Sequence, residues 1–160
     1  LDADLERRVA LEHGGELVYS YAGGIGIRSG DPKDVERLLV AATYHQAQAD
    51  RKAGRADDAA GLIAQTAKRF PADPEMQMFA AESLLLDQKN AQAALDALAG
   101  VAPPDGNRIL IGRKATLQAD AYEAAGQKDQ AIAVLEKAVA AFPSPRMQQR
   151  LDALKGGAAK

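Results

Sequence analysis

Gly126 to Pro143 reads GQKDQAIAVLEKAVAAFP: a turn, an amphipathic helix and a stop. Ala53 to Pro71, AGRADDAAGLIAQTAKRFP, carries the same punctuation, with Gly54 and Gly126 72 residues apart and Pro71 and Pro143 again 72 apart. A degraded third copy lies midway, where Ala94 falls 35 residues after Ala59 and 37 before Ala131. A self-similar period of this length marks a unit that buries its apolar face only by stacking on its neighbours. The expected architecture is a stack of helix pairs.

Working outward, each boundary has a local cause. Asp31-Pro32-Lys33-Asp34 is a helix start, with an Asp cap and Pro at the first helical position. Val35, Leu38, Leu39, Ala42, Gln46, Ala49 and Ala53 then form a mostly apolar stripe at helical spacing, and Gly54 ends it. Ala56 to Phe70 is the partner helix, with Ala59, Leu62, Ile63 and Ala67 inward. Asp73-Pro74 restarts the chain into a helix reaching Leu86, with Met78, Ala81 and Leu85 inward. Asp87 to Asn90 turn without glycine, and Ala91 to Ala99 form its partner. After a Pro103-Pro104 linker, Asn107 caps a helix to Ala125, paired with Asp129 to Phe142. Ser144-Pro145 opens a last helix with Met147, Leu151 and Leu154 inward. Its polar outer face (Gln148, Gln149, Asp152, Lys155) suits an end cap. Residues 156–160 read as a frayed tail.

The first thirty residues do not follow the period. Leu1, Leu5 and Val9 recur every fourth residue, so a short helix is expected over Leu1–His13, ended by Gly14-Gly15. Glu16 to Gly30, ELVYSYAGGIGIRSG, allows two readings: an extended segment leading into a loop, or a helix whose glycines admit a neighbour's backbone. Helix is the preferred reading despite about 1 kcal/mol lost per glycine. The segment would serve as a cap, or would fill a groove.

Composition narrows the function. Apolar residues are 47% of the 160 but aromatics only 4%, so alanine carries much of the core, as closely packed helices require. The net charge of −2, with both signs interspersed, argues against a nucleic-acid surface. No run approaches the roughly 20 apolar residues of a membrane span. Absence of cysteine removes disulfides and thiolate chemistry. The chain opens on Leu1, so a processed or trimmed product is expected, with any upstream signal out of view. The composition is compatible with a bacterial cell-envelope or cytoplasmic assembly factor.

The repeats resemble the tetratricopeptide family. In the last copy Ala119 stands as the small crossing residue, Tyr122 as the aromatic and Gly126 as the turn. Ala131-x3-Leu135 is the second-helix pair, followed by Ala138 and the closing Pro143. In the first copy Ala47, Gly54, Ala59-x3-Ile63, Thr66 and Pro71 match, with Asp50 in place of the aromatic. In the middle copy Leu85, Ala94-x3-Leu98 and Val101 match. There Glu82 replaces the small residue, Lys89 the turn glycine, and no proline closes. The resemblance covers Val40 to Leu154. It implies an all-α fold, a right-handed α-solenoid of antiparallel helix pairs over residues 31–155, and a protein or peptide partner held in the concave face.

By that resemblance the groove residues are Tyr44, Gln48, Arg51, Met76, Phe79, Ser83, Leu86, Arg113, Thr116, Asp120 and Glu123. Met76, Phe79 and Leu86 would form a central apolar strip for an amphipathic partner. Family members that clamp a chaperone's terminal carboxylate use Lys, Asn, Asn, Lys and Arg where this chain has Tyr44, Gln48, Ser83, Thr116 and Asp120, so that clamp is absent. Alternatives are a self-associating module, or a helical accessory domain of a larger enzyme or secretion machine. No catalysis, cofactor or metal is expected. Gly24-Ile25-Gly26 lacks the third glycine and the following βαβ unit of a dinucleotide loop. His13 and His45 have no metal-ligand spacing, and the serines no nucleophile elbow.

Overall fold

A computed structural model describes residues 9–13, 16–20, 26–29 and 32–156, with side chains essentially from Leu39 onward. Three strands precede seven helices: β1 (Val9–His13), β2 (Glu16–Ser20), β3 (Gly26–Ser29), α1 (Pro32–Lys52), α2 (Ala56–Arg69), α3 (Pro74–Leu86), α4 (Ala91–Ala99), α5 (Arg108–Ala124), α6 (Lys128–Ala141) and α7 (Pro145–Gly156). The chain divides into two compact units, residues 1–79 and 80–160.

The strands overturn the helical expectation for the N-terminal region. They form an antiparallel sheet in the order β1-β2-β3, with His13 paired to Glu16 and Ser20 to Gly26. The register shifts between Val9 and Leu11, as at a bulge. The physical reason is the composition weighed above: β-branched and aromatic residues favour a pleated surface, and glycines penalise helix. Both β1 and β3 lie beside α1. Residues 1–8 of the expected first helix, and the tail from 157, lie outside the described residues. The all-α class belongs to residues 32–156.

In the first unit α1 and α2 pair across Gly54, whose φ of +77° is a left-handed position that glycine takes without strain. Leu39, Ala42, Ala47, Ala59, Leu62, Ile63 and Ala67 are buried apolar residues of the two helices. The turn is locked by Asp50, 6% exposed, which accepts from Gln46 at 3.1 Å and pairs with the Arg55 guanidinium. One buried polar contact crosses the pair. Thr66 Oγ1 donates to Leu62 O at 3.0 Å, so Thr43 Oγ1 must be the donor in the 3.0 Å Thr43–Thr66 contact. Asp73 caps α3 by accepting from the Met76 amide at 2.6 Å. Gln77 then donates to Ala67 O and Phe70 O, satisfying carbonyls at the end of α2.

In the second unit Asn90 and Asn107 cap α4 and α5 through the amides of Ala93 and Leu110. Turns fall at Lys89 (φ 54°) and Gly126 (φ 74°). Small residues let the helices approach: Ala119 and Ala131 meet Leu135, Leu151 and Leu154, while Ala94, Leu95 and Ala121 form a neighbouring cluster. A third cluster joins Ala115, Ala138 and Met147 across α5, α6 and α7. α7 is therefore a packed member of the unit, with Met147, Leu151 and Leu154 all buried.

Candidate functional site

The helix faces left over from core packing define an open groove of about 1140 Å³ in the second unit. On α5 the stripe Ile109, Gly112, Arg113, Thr116, Leu117 and Asp120 follows helical spacing, alongside the inward Ala115 and Ala119. On α7 the matching stripe is Arg146, Gln149, Arg150 and Ala153. The α6–α7 connection closes one end with Phe142, Pro143 and Ser144. Gly112 faces Met147 across the floor, where even an added Cβ would sit 3.8 Å from the thioether.

Its polar groups are largely pre-arranged. Arg150 spans the groove, donating to Asp120 at 3.0 Å and contacting Glu123 on α5. The Asp120 hydrogen bond, against partial desolvation, raises the guanidinium above its ordinary range. Because these groups are more than a third exposed, the pair adds little stability; it serves to orient. Arg113 reaches the other way, to Glu82 on α3 at 3.2 Å. Arg108 lies over the Phe142 ring, 5.6 Å from its centroid. Ile109 is 82% exposed at the rim.

Of the residues expected from sequence, Arg113, Thr116 and Asp120 line this groove, and Glu123 joins it through Arg150. In the first unit Tyr44, Gln48 and Arg51 share one face of α1. Tyr44 is 40% exposed there, and Gln48 and Arg51 are half-buried. Three residues need correction. Met76, Phe79 and Ser83 are at most 2% exposed, so the apolar strip expected at the surface is core, and of its members only Leu86 is exposed. The reason lies in α3, where Met76, Met78, Phe79 and Ala81 point to different sides, and a helix apolar all round is buried all round. Tyr44 packs on Phe79 with centroids 5.1 Å apart, and Arg51 lies 5.5 Å over the same ring. Ser83 donates to Asp87 at 2.7 Å.

The α7 wall was missed. Its signal was present: Arg146, Gln149, Arg150 and Ala153 recur at i, i+3, i+4 and i+7, on a face distinct from Met147, Leu151 and Leu154. Among the described residues no cluster of three or more metal-ligating side chains occurs, and no helix is long and apolar enough to cross a membrane.

Helix pairs recurring at a fixed period, with small residues at the crossings, define an α-helical repeat protein. Two tetratricopeptide-repeat models match the chain, over residues 44–108 and 115–151, and the chain belongs to that family. Tetratricopeptide repeats are in general protein–protein interaction modules. No curated protein matches the chain.

Proposed function

We propose that this chain is a protein-interaction scaffold whose α5–α7 groove receives a peptide segment of its partner. One observation carries the reading: two packed helices turn complementary faces to a single open groove, with side chains already held in place. Such pre-organisation lowers the entropic cost of binding. Arg113, Thr116, Asp120, Arg146, Gln149, Arg150 and Ala153 would contact the partner. Tyr44, Gln48 and Arg51 are a partner-contacting face of the first unit in this reading.

The test is panning the chain against a random 12-residue phage library whose peptides have no free carboxyl terminus. Selected peptides should protect α5 and α7 amides from hydrogen exchange, and Thr116→Trp or Ala153→Trp should block them. Peptides that bind these variants as tightly as the parent overturn the proposal. Light scattering through a dilution series reads the alternative occupant, since a mass that rises with concentration in the parent but not in Ala153→Trp assigns the groove to a second copy.

A further inference from the structure

The groove is charged against the character of the chain that builds it. The whole protein carries a net charge of −2, yet the lining holds four arginines (Arg108, Arg113, Arg146, Arg150) and a single carboxylate, Asp120. Two of the four are occupied: Arg113 by Glu82, and Arg150 by Asp120 and Glu123. The other two are exposed, and among the described residues neither has a carboxylate within ion-pair distance. Arg108 instead rests on the Phe142 face.

Their positions add a second argument. Acids stand in the first turn of α2 (Asp57, Asp58), α3 (Glu75) and α6 (Asp129), where they complement the helix dipole. α4, α5 and α7 have none, and in the two that wall the groove Arg108 and Arg146 stand there instead. An arginine at a helix N-terminus opposes the dipole, so the arrangement does not serve helix stability. It superposes two positive fields at one end of the groove. Ile109 and Phe142 supply apolar surface at that end.

We infer that the groove's occupant is an acidic, amphipathic protein segment: internal Asp or Glu side chains paired with Arg108 and Arg146, and an apolar side chain set beside Ile109 and Phe142. This rests on the groove reading above and specifies its partner. Charge complementarity of this kind sets the orientation and encounter rate of the guest more than its total affinity.

Sequencing the selected phage tests it. Expected is enrichment of Asp and Glu within a few residues of Leu, Ile or Phe. Affinity of a synthetic, amidated copy should fall about tenfold for the Arg108→Glu, Arg146→Glu double variant, and about threefold for the milder Gln pair. It should also weaken as NaCl rises from 50 to 300 mM. Circular dichroism checks that both variants keep their helix, and the Gln pair stands in if the Glu pair does not. Neutral or basic peptides that Ala153→Trp still blocks would overturn the acidic assignment while leaving the groove reading intact. Peptides indifferent to Ala153→Trp would overturn both. A 12-nucleotide single-stranded DNA, or vesicles containing phosphatidylserine, displacing the peptide at lower concentration would also overturn the assignment.

Discussion

Leu135→Ala is the sharpest test of how the second unit holds together. Leu135 is wholly buried on α6, enclosed by Ala119 of α5, Ala131 of its own helix, and Leu151 and Leu154 of α7. Truncation removes three carbons, worth about 2.4 kcal/mol at about 0.8 kcal/mol for each buried methylene. A cavity term adds to this, and here it should be retained. The neighbours Ala119 and Ala131 have no side-chain length with which to move in, so on those sides the space closes only if a helix shifts. The expected total is about 3–4 kcal/mol, near the middle of the range for such substitutions. For a chain of this size that lowers the melting temperature by roughly 10 °C.

Urea unfolding followed at 222 nm measures the loss, with Lys137→Ala, exposed on the same helix, as the near-neutral control. Repeat arrays can unfold in parts, so amide exchange should show the loosening in α5, α6 and α7. A loss below about 1 kcal/mol would mean that α7 does not close over Leu135. The groove wall would then be misplaced as well.

Three other perturbations test separate features. Thr66→Val should cost about 1–2 kcal/mol by stranding the buried Thr43 hydroxyl, and Thr43→Val less, because Thr66 keeps its bond to Leu62 O; the double variant should cost less than their sum, and strict additivity in a double-mutant cycle contradicts the bond. Lys89→Gly should stabilise by about 0.5–1 kcal/mol, because φ 54° strains a side-chain-bearing residue, and Gly126→Ala should cost about 1–2 kcal/mol for the converse reason; thermal melts with the opposite signs would refute the turn geometry. Burial lowers the Lys114 pKa below 10.5 as its ammonium donates to Val101 O at 2.6 Å. The unfolded chain then binds more protons there, so stability should rise with pH between the lowered folded value and 10.5. Comparing melts of the parent and Lys114→Met across that window isolates the increment, and an unchanged slope contradicts it.

Helix boundaries were legible because they are local chemistry. Asn107, Gly126 and the prolines act within a turn of the backbone, and all seven helices of residues 32–156 fall within a residue or two of where these signals put them. The inward alanines were legible too: Ala59, Ala94 and Ala131 are at most 1% exposed. The N-terminal sheet was a matter of weighting. VALEH and ELVYS flank Gly14-Gly15, a two-residue hairpin signal, but a four-residue apolar recurrence from Leu1 outweighed it. The exposure of α3 was not legible, because apolar residues at 76, 78, 79 and 81 fit no single face, and a periodicity argument needs one polar side. The groove wall on α7 needed three-dimensional placement. A polar face on a terminal helix looks alike whether it meets solvent or a cleft.

The departures from the family pattern carry a consequence for the groove. Asp50 replaces an aromatic and is answered by Arg55 and Gln46. Glu82 replaces a small residue and is answered by Arg113. Each substituted charge is thus neutralised by a partner inside its own unit, as a partly buried carboxylate requires. The second compensation has a side effect. By holding Arg113 toward α3, Glu82 takes one positive charge out of the middle of the groove, and Asp120 with Glu123 does the same for Arg150. What stays available is the pair at the helix N-termini, Arg108 and Arg146, beside Phe142. The groove's polarity therefore runs along its length, from a guanidinium-rich end to a neutralised middle. A guest with carboxylates at one end would be read in a single direction.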